Sequence, residues 1–121
     1  MNIKTITSNS KEIAIINSDE ICISDVHSAL DFIIHIHHET DTNCIIINKE
    51  AIAEDFFDLS TKIAGEILQK IINYHFRLAI VGNFLSYTSK SLNDFIYESN
   101  QGRNIFFVPT IEDAIEKLNK A

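Results

Sequence analysis

The sequence predicts a small α/β sandwich in which a β-hairpin is followed by alternating helices and mainly parallel strands. Three observations carry that prediction. Short continuous apolar runs, NCIII, RLAIV and NIFFV, have the character of strands covered on both faces. Longer stretches with helical periodicity separate them. At the amino end, two strand-like runs flank Ser8-Asn9-Ser10, a sequence suited to a hairpin turn. Strands alternating with helices imply parallel pairing through crossovers, with the hairpin adding antiparallel character at one side.

The first strand is expected over Asn2–Thr7 and the second over Glu12–Asn17, with Ile21–Ile23 a short third piece of extended chain. Ser24 reads as the cap of the first helix, with Asp25 favourable in its first turn. Val26, Leu30, Ile33 and His37 form that helix's apolar face through about Glu39, before the buried strand Asn43–Asn48. Asp55 reads as the cap of the second helix, with Asp58 three residues on as a variant of the capping box. Phe56, Leu59, Ile63, Ile67, Ile71 and Tyr74 make its stripe, widened by Ala64 and Leu68. Asp58, Lys62, Glu66, Gln69 and Asn73 share the opposite side. Arg77–Val81 is a second buried strand, closed by Gly82-Asn83. Thr88 or Ser89 caps a third helix that runs through about Ser99 and stops near Gly102. Asn104–Val108 is the last strand, and Pro109-Thr110 turns the chain into a final helix, Ile111–Leu118, with Glu112 and Asp113 at its positive end.

At 121 residues, 45% hydrophobic and 22% charged, the chain has the size and composition of one folded domain spanning residues 1–121. A net charge of −7 with scattered Lys and Arg disfavours a phosphate-neutralising surface, so no nucleic-acid partner is expected. Clustered acidic residues would instead make a decoy for a nucleic-acid-binding protein. The amino terminus lacks the pattern of a secretion signal, and no apolar run approaches the length of a bilayer span. A cytoplasmic location without membrane attachment is therefore expected. Cys22 and Cys44 sit in apolar, strand-like runs and read as buried reduced thiols.

The motifs GxGxxG, GxSxG, HExxH and CxxC and the phosphate-binding loop are all absent. No cofactor is implied. Polar residues are concentrated instead in two places. Asp58, Thr61, Glu66, Gln69, Lys70 and Asn73 belong to the second helix, and Asn83, Tyr87, Ser89 and Ser91 to the turn after Arg77–Val81. The first reading is a non-enzymatic module that binds an unidentified protein partner through the helix's polar side and the turn. The alternative is a binder of an anionic metabolite or nucleotide, held by the hydroxyl-rich turn beside a helix N-terminus. An acid–base enzyme would use Asp58 and Glu66 with Lys70, although Glu66 and Lys70 also have the order of a simple i,i+4 ion pair. His27, Asp31, His35 and His38 lie on neighbouring turns of the first helix in an arrangement that could share a metal ion. Phe84, Leu85 and Tyr87 are expected to leave apolar area near the turn, which points to a homodimer.

The block FFDLSTKIAGEILQKIINYHFRLAIVGNF, with SKSLNDFIYESNQG and the terminal FFVPTIEDAIEKL, resembles the bacterial family known as domain of unknown function 4180 over nearly the whole chain. That resemblance carries no activity with it. The element order is also similar to the STAS domains of anti-sigma-factor antagonists, in which a Ser at the start of the second helix is phosphorylated by a partner kinase. Asp58-Leu59-Ser60-Thr61 falls in the corresponding place, with Leu59 and Thr61 replacing the Ser and Gly of that motif. The resemblance implies Ser60 or Thr61 as a phosphorylation site, while the helical wheel turns Ser60 toward the core.

Overall fold

The hairpin forms where its turn residues place it. Strand β1 (Asn2–Ser8) pairs antiparallel with β2 (Lys11–Asn17), and Asn9 and Ser10 between them take φ of 54° and 66°. Two consecutive left-handed residues give a turn whose twist matches that of the flanking strands. The computed structural model describes residues 1–121, and beyond the hairpin it alternates helix and strand as expected. The elements are α1 (Val26–Thr40), β3 (Cys44–Asn48), α2 (Ile63–Asn73), β4 (Arg77–Val81), α3 (Lys90–Gln101), β5 (Ile105–Val108) and α4 (Ile111–Lys120).

The strands lie in sequential order, β1-β2-β3-β4-β5, and pair in parallel from β2 onward. Ala14, Ile16, Ile45, Ile47, Leu78, Ile80 and Phe107 face a core shared with α1, α2 and α3. Ile13, Ile46, Ala79, Phe106 and Val108 pack on the other face, against Ala114 and Leu118 of α4. Coverage of both faces explains the unbroken apolar runs, because the three central residues of β3 and of β4 and all four of β5 are buried whichever face they point to.

The two edges of the sheet differ. Beside β5, Asn100 of α3 donates from Nδ2 to the Phe107 carbonyl (3.0 Å) and accepts from the Phe107 amide (2.8 Å). One side chain thus stands in for a neighbouring strand and blunts the edge. The outer edge of β1 has no strand partner.

Several local expectations are corrected. Asp25, not Ser24, caps α1, in a reciprocal capping box with Ser28 (Ser28 amide to Asp25 Oδ1, 2.8 Å). The row α1 buries is Ala29, Phe32, Ile33 and Ile36, leaving Val26, Leu30 and His37 half-buried at its flank. The largest shift is at α2, which begins at Ile63 rather than Asp55. Glu54–Phe57 and Leu59–Thr61 are separate 3₁₀ turns, and Lys62 takes a left-handed φ of 67° between the second turn and the helix. Asp58 accepts from the Ser60 amide at 3.0 Å, a local bond that competes with continuous helix. Asp55 makes no cap, and Tyr74 leaves the stripe as the residue that closes α2. Of the two candidates for the start of α3, Ser89 is the cap, accepting from the Leu92 amide (3.2 Å). Cys22 and Cys44 are free but half-buried, not buried: Cys22 lies in the connection outside the sheet, with Met1 Sδ 3.9 Å from its sulfur, and Cys44 opens β3.

Candidate functional site

The carboxyl ends of the strands are tied together by side chains. Asn48, the last residue of β3, accepts from the Ser18 amide (2.9 Å) and donates to the Ser18 carbonyl (2.8 Å), which clamps the exit of β2. The register Asn48–Val81 sets the next residue, Lys49, beside Gly82. A Cβ at Gly82 would lie 2.6 Å from Lys49 Cβ, so the glycine is what lets the lysine side chain cross the end of β4. Lys49 Nζ then meets Glu54 at 3.1 Å and lies 5.1 Å from the ring centres of both Phe57 and Tyr87. Phe57 and Tyr87 stack at 5.3 Å, and the Tyr87 hydroxyl donates to the Glu54 carboxylate at 3.0 Å.

This cluster holds its protons tightly. Burial alone would pull the Lys49 ammonium down, but hydrogen bonding and charge from Tyr87 and Glu54 outweigh it and raise its pKa. Burial likewise pushes the Tyr87 phenol up, with Glu54 adding to the effect and Lys49 opposing it. At neutral pH the lysine is an ammonium and the tyrosine is protonated.

The hydroxyl-rich turn is engaged with itself. Asn83 Oδ1 accepts from the Leu85 amide (3.0 Å), Ser89 is committed to capping α3, and Tyr87 to Glu54. Ser91 is exposed in the first turn of α3. Among Phe84, Leu85 and Tyr87, only Leu85 is exposed, because the two rings turn inward onto Phe57 and Phe107.

The polar side of α2 has a different character. Glu66 and Gln69 line a groove between α2 and α3, joined by Leu59, Lys62, Gly65 and Phe95. Phe95 also lines the next stretch of the groove, with Leu68, Ile72, Glu98 and Arg103. The first stretch encloses about 480 Å³ and the second about 190 Å³. Leu59, Leu68 and Phe95 are half-buried, Ile72 is exposed, and a Cβ at Gly65 would meet no atom within 4 Å. The ion pairs of the molecule, Lys49–Glu54, Lys90–Asp94 and Lys120–Glu116, and the His27–Asp31 contact include no charge from this groove. The expected Glu66–Lys70 pair does not form; along α2 the bond is Gln69 Nε2 to Asn73 Oδ1 at 3.0 Å.

A family model described as "Domain of unknown function (DUF4180)" matches residues 8–118. The chain belongs to that family. The match spans the cluster at the strand ends and the α2–α3 groove alike, so both lie within the family's domain. No match to a curated protein or to a solved structure was found.

The remaining candidates are placed as follows. Asp58 precedes α2, and hydrogen bonds from the Ser60 hydroxyl and amide hold its carboxyl below the usual range. Ser60 is exposed, not turned to the core, because it sits in a 3₁₀ turn and not on α2. Thr61 donates back to the carbonyls of Asp55 (2.9 Å) and Asp58 (2.8 Å). His27 and Asp31 meet at 3.4 Å on the surface of α1, but no group of three or more His, Cys, Asp or Glu converges there or elsewhere, so His35 and His38 do not join them. No helix is long and apolar enough to cross a membrane. Sequence reasoning missed Glu54 and Phe57 at the strand ends and Gly65, Phe95 and Arg103 in the groove. Gly65 was the available signal, since inside a stretch of helical periodicity a glycine costs about 1 kcal/mol relative to Ala without a local reason; the structure puts it in the first turn of α2.

Proposed function

We propose that this domain is a non-enzymatic regulatory module of STAS-like fold, acting in the cytoplasm, which binds another protein along the α2–α3 groove. The observation that carries the reading is the groove itself: an apolar floor of Leu59, Leu68 and Phe95 beneath a rim of Lys62, Glu66, Glu98 and Arg103, with no ion pair among the rim charges. That combination suits an amphipathic helix of a partner, with its apolar ridge on the floor and its flanks meeting rim charges of both signs. Gly65 opens the wall at the point where such a ridge would pass.

An acid–base role for Asp58 has little support, because hydrogen bonds from the Ser60 hydroxyl and amide hold its carboxyl below the usual range. An anionic ligand at the turn has less support, because the Tyr87 hydroxyl donates to Glu54, whose carboxylate stands beside the turn. Exposed Ser60 next to Leu59 gives the phosphorylation reading a physical consequence: about two negative charges would appear at one end of the groove.

Two substitutions at one position test the binding surface. Gly65→Ala leaves the groove open, whereas Gly65→Arg fills it, and neither Cβ meets a neighbour. A partner captured from the host by wild type and Gly65→Ala, but lost from Gly65→Arg and from Glu66→Lys with the fold retained, is the expected result. Equal capture by all four proteins would place the interface elsewhere.

A further inference from the structure

The sheet contains one place where neighbouring chains part. After β4, residues 82–89 lead to α3, on the face that also carries α1 and α2. After β5, Pro109-Thr110 leads to α4 on the opposite face. β4 and β5 are adjacent and parallel, so their exits diverge to opposite sides of the sheet. In open α/β sheets a crevice opens at the carboxyl ends of strands related in this way, and ligands favour it. Every earlier parallel pair sends its connections to the same face, which leaves this as the one such point in the fold.

A cavity of about 560 Å³ lies there, lined by Asn83, Phe84, Leu85, Ile96, Phe107 and Pro109. Its walls come from both exits, from β5 and from α3. The size falls within the range of small-molecule pockets. No lining side chain carries a charge. Phe84 and Phe107 meet edge to face at 5.5 Å and form a fixed aromatic corner. Leu85 is 93% exposed, more than any other large apolar residue of the chain. Asn83 uses only Oδ1 within the molecule, which leaves its Nδ2 donors free at the wall.

We infer that this crevice is a binding site for a small uncharged molecule, ring-sized and largely apolar, carrying one hydrogen-bond acceptor for Asn83. Apolar walls contribute through the surface they cover, including Leu85. Asn83 alone replaces little of the hydration of an ion, so a charged molecule of the same shape binds more weakly. This site is independent of the α2–α3 groove and differs in ligand class from an anion site at the hydroxyls of the turn.

The test is an NMR titration of the full ¹⁵N-labelled chain with acetophenone, benzamide and cyclohexanone, and with benzoate and ribose 5-phosphate as charged counterparts. Saturable shifts centred on Asn83, Leu85, Ile96 and Phe107 are expected from at least one neutral probe. Benzoate should bind about tenfold more weakly or not at all. Leu85→Asp changes an exposed position, keeps the fold and should abolish the neutral response; Ile96→Trp should do so by filling the cavity. The inference is overturned if none of the three neutral probes gives saturable shifts. It is equally overturned if a charged probe binds as well as the neutral ones, or if the folded Leu85→Asp protein responds like wild type.

Discussion

Polar residues crowd two regions of this molecule, and they behave in opposite ways. Where the chain leaves β3 and β4, Lys49, Glu54 and Tyr87 satisfy one another above the Phe57 ring, and the side-chain oxygens of Asn83 and Ser89 accept from backbone amides. Along the α2–α3 groove, Lys62, Glu66, Glu98 and Arg103 stand over half-buried apolar side chains and form no ion pair. Density of polar residues does not distinguish these regions; satisfaction does. The first is a joint that holds two loops together. The second is a surface with unspent interactions, which is what a binding face requires.

The strongest way to break this contrast lies within α2 itself, where adjacent residues face the core and the groove. Ile71 is fully buried in the main core, whereas Ile72 is 40% exposed and lines the groove. Ile71→Ala should cost about 2–5 kcal/mol, and Ile72→Ala within about 0.5 kcal/mol, in urea unfolding. Similar costs for both would mean that the groove is packed as a core and is no free surface.

A smaller effect tests the joint. Its stabilising protonation states are the Lys49 ammonium and the Tyr87 phenol, whose folded pKa values are both raised. Their contribution is therefore complete below the ordinary values of 10.5 and 10.0 and is lost as pH rises through the higher folded ones. Wild type should lose stability above that range more steeply than Lys49→Met/Tyr87→Phe, measured by urea unfolding across alkaline pH. At neutral pH the double variant should be less stable by about 1–2 kcal/mol, the scale of a partly exposed ion pair with cation–π contact. Parallel pH profiles for the two proteins would remove the joint from the account.

Much of the fold is legible in the sequence, because its strands and hairpin are written in local patterns. Continuous runs such as Ile45–Ile47 mark strands covered on both faces, and Asn9-Ser10 marks a turn with two left-handed residues. The start of α2 is not legible in the same way. Its apolar spacing extends back to Phe56, but Asp58 bonding to Ser60 and the left-handed Lys62 break the helix. The site is only half legible: Glu66 and Gln69 stand out as polar positions, yet the groove exists because the sheet holds α2 and α3 apart. Lys49 can be placed at a strand exit from the sequence, but its partners cannot, since they arrive from residues 54, 57 and 87 only once β3 and β4 are in register.

The central claim, that the open groove is the working surface, is tested most directly by photo-crosslinking in the host. A photoreactive residue is placed at Gln69, in the groove, or at exposed Asp31, on α1. The account predicts one discrete protein adduct from position 69 that disappears when Gly65→Arg is added, and no such adduct from position 31. Adducts from position 31 alone, or an adduct from position 69 that survives Gly65→Arg, would contradict it.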